Sequence, residues 1–275
     1  MQIRELQRSC RLERGVKNLL IEKIFSISRE QIIKGENCNL CPKKLREFRK
    51  IENKILKGEA PQYAMGQASF FGRDFFVDKN VLIPCPETEL LVEKAIGFLK
   101  NKSDKNLRIL DIGTGSGVIP ITIIEELKDK KISADACDIS TSALKVAKRN
   151  QKKFKTKVNF IECDLFEQIT GKFDLISANL PYGSINDSDF KSVPHPKLAV
   201  IGGESGFEII SRCLSEIDKF LKQDGLALFE IGHDQRKMIE QISKRLPALK
   251  FRIYKDLNNF DRIVQINWKT HPKSP

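Results

Sequence analysis

An α/β fold built on a mostly parallel sheet, with a small helical bundle ahead of it, is what this 275-residue sequence predicts. Two observations carry that expectation. From about residue 108 onward, apolar runs of strand length alternate with stretches of helix length, the pattern of strands joined by crossover helices. Before about residue 60 the apolar residues recur instead at helical spacing.

The first helical face is Val16, Leu19, Leu20, Ile24 and Ile27. Ser28-Arg29-Glu30-Gln31 has the form of a capping box ahead of Ile32 and Ile33. After Pro42, the residues Leu45, Phe48, Ile51 and Ile55 make another face, and Gly58 is its expected stop. The pattern then changes. Ala68 to Val77 is aromatic-rich with Gly72-Arg73-Asp74 at its centre, which predicts a β-hairpin. Val81-Leu82-Ile83-Pro84 reads as a further short strand. Cys85-Pro86-Glu87-Thr88-Glu89 opens a helix, with Pro86 in the first turn and Glu87 and Glu89 placed to cap its positive end. Leu90, Leu91, Ala95, Phe98 and Leu99 give that helix its buried face. Strands are expected near 108–111, 134–138, 158–163, 173–178, 226–231, 251–256 and 262–267, with helices such as 142–151 and 207–221 between them. The expected organisation is therefore a helical domain over 1–66, a hairpin linker over 67–84 and an α/β domain over 85–275.

Hydrophobic residues make up 40% of the chain, enough for a sizeable core, yet no apolar run approaches the ~18 residues of a membrane span. The N-terminus lacks the apolar stretch of a signal peptide, so a cytoplasmic, membrane-free protein is expected. The seven cysteines are scattered, as suits free thiols in a reducing compartment. Only Cys38 and Cys41 have C-x-x-C spacing, and without a second pair no metal site is expected. A net charge of +12 favours an acidic or nucleic-acid-rich partner without choosing between them. The cation run from Lys152 to Lys157 reads as a solvated helix end.

Chemistry concentrates at four strand ends. Leu110-Asp111-Ile112 leads into Gly113-Thr114-Gly115-Ser116-Gly117, a glycine-rich turn from strand to helix where backbone can approach a ligand. The nicotinamide fingerprint requires a glycine at position 118, where this chain has Val118, so a dinucleotide is not expected. Asp138 ends the next strand, where its carboxylate could accept both ribose hydroxyls of a nucleoside. Asp164 ends the third, where it could meet an adenine amine beside Leu165. The fourth, Phe173 to Ala178, exits through Asn179-Leu180-Pro181-Tyr182. Pro181 holds the Leu180 carbonyl in extended geometry. The Asn179 oxygen and that carbonyl could then accept both hydrogens of one planar NH2 group, with Tyr182 stacked on its plane. The plainer alternative is a strand-end turn in which Asn and Pro only punctuate. Open parallel sheets bind ligands along these carboxyl ends.

In this order, these residues resemble a class I S-adenosylmethionine-dependent methyltransferase. They are similar in particular to the protein-(glutamine-N5) methyltransferases that act on peptide chain release factors. That family combines an N-terminal helical bundle, a β-hairpin, an Ile-Pro-Arg-Pro-Glu-Thr-Glu segment, an Asp-Leu-Gly-Thr-Gly-Ser-Gly loop and an Asn-Pro-Pro-Tyr motif. Here the counterparts are Ile83 to Leu91, Asp111 to Gly117 and Asn179 to Tyr182, followed by Gly202-Gly203-Glu204-Ser205-Gly206, Glu230-Ile231-Gly232 and Asp261-Arg262. The resemblance implies a Rossmann-like seven-stranded, mostly parallel sheet with S-adenosylmethionine held by Gly113 to Gly117, Asp138, Asp164, Leu165 and Asn179. It further implies methyl transfer to the glutamine of the Gly-Gly-Gln loop of a class I release factor, with Asn179, Leu180, Pro181 and Tyr182 as the catalytic set. Nucleic-acid contact is compatible with this reading and not required by it.

Three residues depart from the family pattern: Leu180 replaces a proline, Cys85 an arginine, and His195 a frequent glutamate. The rival reading is N6-adenine methylation of RNA or DNA, since Asn-Leu-Pro-Tyr also resembles the motif of ribosomal-RNA dimethyladenosine transferases. Against it, those enzymes carry extra helices after the core, and here the helices come first. A ribosomal-protein glutamine as target fits Pro86-Glu87-Thr88-Glu89 less well. A non-catalytic relic of the fold is opposed by the retained glycines, Asp138 and Asn179.

Overall fold

Five helices occupy the first unit, Met1–Gln67, among the residues described by this computed structural model: 2–34, 40–103, 106–187 and 195–269. They are α1 (Ile3–Ser9), α2 (Arg14–Phe25), α3 (Arg29–Lys34), α4 (Pro42–Leu56) and α5 (Pro61–Met65). Their core is Ile3, Leu6, Leu20, Ile21, Ile32 and Phe48, all essentially inaccessible. The capping box forms: Gln31 N donates to Ser28 Oγ at 3.3 Å and Ser28 N to Gln31 Oε1 at 3.1 Å. Of its two following isoleucines, only Ile32 is buried, because six residues give α3 a single inward face. Cys38, half of the C-x-x-C pair, lies outside the described residues.

The second unit, Ala68–Pro275, contains the sheet. The hairpin pairs β1 (Gln67–Phe70) with β2 (Arg73–Phe76) through a two-residue turn. Phe71 occupies that turn at φ 49°, a costly conformation for a bulky residue. Its N–H donates to Glu89 Oε1 at 2.7 Å, so Glu89 ties the hairpin to α6 (Pro86–Lys100) instead of serving only that helix's own end. The strand expected at Val81–Ile83 does not form; the segment is irregular, with Val81 buried as an anchor.

Seven strands then form one sheet in the order β10-β11-β9-β6-β3-β4-β5. They are β3 (Asn106–Ile112), β4 (Lys131–Asp138), β5 (Val158–Glu162), β6 (Phe173–Ala178), β9 (Leu221–Glu230), β10 (Leu249–Lys255) and β11 (Asp261–Trp268); β7 (Gly183–Ser184) pairs separately with β8 (Ile201–Gly203). Pairs β3·β4, β4·β5, β3·β6 and β6·β9 are parallel, and only β11 runs against its neighbours. Both sheet faces are covered. Leu226 and Leu228 of β9 enter one core with Ile109 and Leu175, while Ala227 and Phe229 enter the other with Ile112 and Ile176. That two-sided burial is why these strands read as continuous apolar runs.

Helices α7 (Val118–Glu126) and α8 (Thr141–Phe154) fill the first two crossovers. The single helix expected over 207–221 is two, α9 (Glu208–Leu214) and α10 (Ile217–Phe220), and Leu221 already belongs to β9. Ser215 is the break: its hydroxyl donates back to the Ser211 carbonyl at 2.8 Å, a bond that competes with helix continuation. The last helix is α11 (Arg236–Arg245). No helix among the described residues is long and apolar enough to cross a membrane.

Candidate functional site

The parallel register brings the chemistry-bearing strand ends to one level. Ile112 pairs with Cys137 on one side and Ala178 on the other, and Ala178 pairs with Phe229. The next residue on each strand is therefore Gly113, Asp138, Asn179 and Glu230. The chain leaves β3 towards β4 and β5 and returns through β6 and β9, so the crevice between β3 and β6 is the point where strand order reverses.

A cavity of about 340 Å³ opens there. Gly113, Thr114, Gly115 and Ser116 line it, as do Asp138, Asp164, Leu165, Asn179, Leu180 and Pro181. Gly113 is at φ +69°, and a Cβ there would come 2.9 Å from Leu180 Cδ2. Glycine thus lets the loop after β3 touch the turn after β6. Thr114 N donates to the Cys137 carbonyl at 2.9 Å, which pins the loop to β4, and Gly117 caps α7 without lining the cavity.

Asp138 Oδ2 accepts from Gly115 N at 2.8 Å and Oδ1 from Ser140 N at 2.9 Å. Burial raises its pKa, and these two N–H groups oppose that rise. Each oxygen keeps a lone pair for a further donor. Asp164 differs from its expected role in one respect. Its Oδ2 is held by Arg212 Nη2 at 2.7 Å, so only part of the carboxylate is available beside Leu165. Leu165 is buried at φ 50°, and its carbonyl accepts from the thiols of Cys137 and Cys163 at 3.2 and 3.4 Å. Apolar walls from Val118, Ile139 and Leu198, a diol-sized acceptor at Asp138 and close backbone at Gly113 to Ser116 suit a nucleoside ligand.

The exit of β6 is clamped from behind. Gln235 Nε2 donates to the carbonyls of Tyr182 and Gly206 at 3.2 and 3.0 Å. Gly206 packs so closely that a Cβ would lie 2.3 Å from the Tyr182 oxygen, which accounts for glycine in the 202–206 segment. Leu180 is 4% exposed and belongs to the core beneath the cavity. Asn179 Nδ2 donates to Thr88 Oγ1 at 3.0 Å. Thr88 Oγ1 in turn donates to Glu230 Oε2 at 2.7 Å, and Tyr182 Oη donates to Glu230 Oε1 at 3.4 Å. Tyr182 does not line the cavity; burial and the Glu230 charge raise its phenol pKa. Burial lifts Glu230 to about 7, and it lifts Asp111, whose Oδ1 accepts from Ser177 Oγ at 2.7 Å, to about 7 as well. Cys85 sits at the start of α6 near Glu230 and Glu87, where burial first and those charges second push its thiol up to about 12. His195 lies in an irregular segment, its pKa lowered by burial.

Thr88, Arg212 and Glu230 were not anticipated as site residues. Glu230 carried a signal: it is the only charge in the apolar run Leu226–Ile231. Thr88 stands out in the sequence only as one member of the Pro86-to-Glu89 segment, because its own role comes from a partner 142 residues away.

A family model for a methyltransferase domain matches residues 103–269. The chain is 33% identical over 261 residues to the release factor glutamine methyltransferase of Streptococcus pneumoniae, covering 92% of this chain and 88% of that one. It is 30% identical over 252 residues to the enzyme of that name from Bacillus cereus, covering 88% of each. Among solved structures, the ribosomal protein L11 methylase of Lactobacillus delbrueckii subsp. bulgaricus shares the fold, with a TM-score of 0.52 at 22% identity over 70% of this chain and 84% of that one. Identity of this extent with named relatives, on a class I methyltransferase fold whose cavity sits at the strand-order reversal, means that the chain belongs to the release factor glutamine methyltransferase family.

Proposed function

We propose that this enzyme methylates the N5 side-chain nitrogen of the glutamine in the Gly-Gly-Gln motif of class I peptide chain release factors. S-adenosylmethionine is the methyl donor and supplies an electrophilic methyl group on its sulfonium. The residues that would hold it are Gly113 to Ser116, Asp138, Asp164 and Leu165 along the cavity wall, with Gly117 fixing the start of α7.

The observation that carries the reading is the pair of acceptors at the end of β6. Asn179 and Leu180 are adjacent residues that both line the cavity, and the Asn179 NH2 already donates to Thr88 Oγ1 at 3.0 Å. An incoming primary amide offers two N–H donors to two acceptors, Asn179 Oδ1 and the Leu180 carbonyl. Amide nitrogen is a poor nucleophile because its lone pair is delocalised. Hydrogen bonds from its protons push density back onto nitrogen and orient it towards the methyl, so these residues act by positioning and electrostatics. Pro181 keeps the carbonyl extended. Leu180 in place of proline changes the side chain and leaves that carbonyl.

Residues 1–67 are assigned to substrate recognition. They hold fifteen Lys and Arg against eight Asp and Glu, a net +7 of the total +12, which favours an acidic partner surface. The test is labelled S-adenosylmethionine with a purified release factor, read by peptide mass spectrometry. Label on the Gly-Gly-Gln glutamine is expected, and label on adenine in added ribosomal RNA overturns the assignment. In Asn179→Ala, turnover is expected to fall by roughly 100-fold or more while cofactor affinity stays within a few-fold. Normal turnover would rule out the two-acceptor mechanism.

A further inference from the structure

We propose that Thr88 and Glu230 are positioning residues that lock the Asn179 carboxamide with its oxygen towards the substrate, making the site selective for an NH2 donor over a carboxylate. This rests on Asn179 and Leu180 being the methyl-acceptor cradle, and it extends that reading to two buried groups on other elements.

Donor and acceptor accounting fixes the orientation. An ionised carboxylate only accepts, so at 2.7 Å Glu230 Oε2 takes the single hydroxyl proton of Thr88. Thr88 Oγ1 then has only lone pairs left to offer. Asn179, 3.0 Å away, must present its NH2 there, and Oδ1 is left to face the cavity. The flipped amide would set two acceptors against each other in a buried place, since Thr88 is 3% exposed and Glu230 1%. Glu230 Oε1 meanwhile accepts from Tyr182 Oη, so one carboxylate reaches Tyr182 directly and Asn179 through the Thr88 hydroxyl. The resulting site presents acceptors only. A carboxamide satisfies both, whereas a carboxylate of the same shape brings no donor and meets two oxygens.

The same accounting gives a pH dependence. Around Glu230 stand Thr88, Glu87 and the Cys85 thiol from the start of α6, Tyr182 from the exit of β6, and Arg262 from β11. Arg262 favours the ionised form and Glu87 opposes it, but burial dominates and the group titrates at about 7. Once protonated, Glu230 becomes a donor to Thr88, and the Thr88 hydroxyl proton is free to turn to Asn179 Oδ1. The carboxamide then flips and offers NH2 where the substrate also offers NH2. Turnover therefore falls as pH drops through about 7, while cofactor affinity, carried mainly by Gly113 to Ser116 and Asp138 in the same cavity, changes by no more than a few-fold.

The test compares Thr88→Val, Thr88→Ser and Glu230→Gln in the full chain with a release factor as substrate, reading kcat, KM, cofactor affinity, melting temperature and the pH profile. Thr88→Val keeps the shape and removes the relay. Its kcat is expected to fall about 10- to 100-fold at unchanged cofactor affinity, with the acid limb near pH 7 lost. Thr88→Ser restores the hydroxyl and should retain kcat within about threefold. Glu230→Gln should show the same loss of the limb. A release factor carrying glutamate in place of the target glutamine should compete poorly against wild type and better against Thr88→Val. Wild-type kcat with the acid limb intact in Thr88→Val overturns the proposal, as does an equal loss in Thr88→Ser, which would mean packing alone. Either result leaves the cradle standing if Asn179→Ala is inactive; an active Asn179→Ala removes the cradle itself. If Glu230→Gln melts early, the two Thr88 variants still decide.

Discussion

Asp138 does two jobs with one carboxylate. Its oxygens hold the N–H groups of Gly115 and Ser140, shaping the glycine loop and the start of α8, and the residue also lines the cavity. Removing the side chain should loosen the loop and delete a ligand acceptor together. Asp138→Ala is expected to weaken S-adenosylmethionine binding about 10- to 100-fold, the size of one or two charge-assisted hydrogen bonds. Titration calorimetry would read this directly, and unchanged affinity would take Asp138 out of the cofactor site. Single residues were unevenly legible in the sequence. Asp138 and Asn179 could be picked out because strand periodicity alone places them at strand ends. Thr88, Arg212 and Glu230 acquire their meaning from partners 91, 48 and 142 positions away respectively, which only the folded chain brings near. Glu89 shows the converse: its position suggested a helix cap, and its long-range bond to Phe71 outweighs that local role.

At the scale of elements, the contact between the loop after β3 and the turn after β6 is the one on which the site depends. Gly113 is at φ +69° with the Leu180 side chain where a Cβ would stand. Gly113→Ala therefore costs twice, in backbone conformation and in displacement of Leu180. A stability loss of about 1 to 2 kcal/mol in urea unfolding is expected from the backbone alone. Turnover should fall further than that loss explains, because the Leu180 carbonyl moves with its side chain. Wild-type kcat in a destabilised Gly113→Ala would show that the turn tolerates the shift. The sheet strands were legible because burial on both faces writes an apolar run into the sequence. The stop between α9 and α10 was not, since Ser215 breaks the helix through a hydroxyl bond that apolar periodicity does not register. Val81–Ile83 failed as a strand for a related reason: its apolar residues anchor an irregular segment, and Pro84 follows at once.

Over the whole molecule, binding of the cofactor and recognition of the protein substrate are assigned to separate stretches of chain. Every residue lining the cavity falls between Asn80 and Arg212, inside the second unit. That unit holds two apolar cores of its own, one on each face of the sheet. Residues 67–275, which keep the hairpin whole, are therefore expected to fold and to bind S-adenosylmethionine with a Kd within about threefold of the full chain, a difference under ~1 kcal/mol. Methylation of the release factor by this fragment should fail chiefly through KM, raised about tenfold or more as the basic helical unit is lost, equivalent to ~1.4 kcal/mol of substrate binding. Steady-state kinetics on the intact release factor and on a short Gly-Gly-Gln peptide separate the effects. The peptide, too small to reach beyond the cradle, should be methylated equally by the fragment and the full chain. A KM for the intact factor that survives truncation would move substrate recognition onto the sheet-bearing unit and leave the +7 charge of residues 1–67 without a role in this reaction.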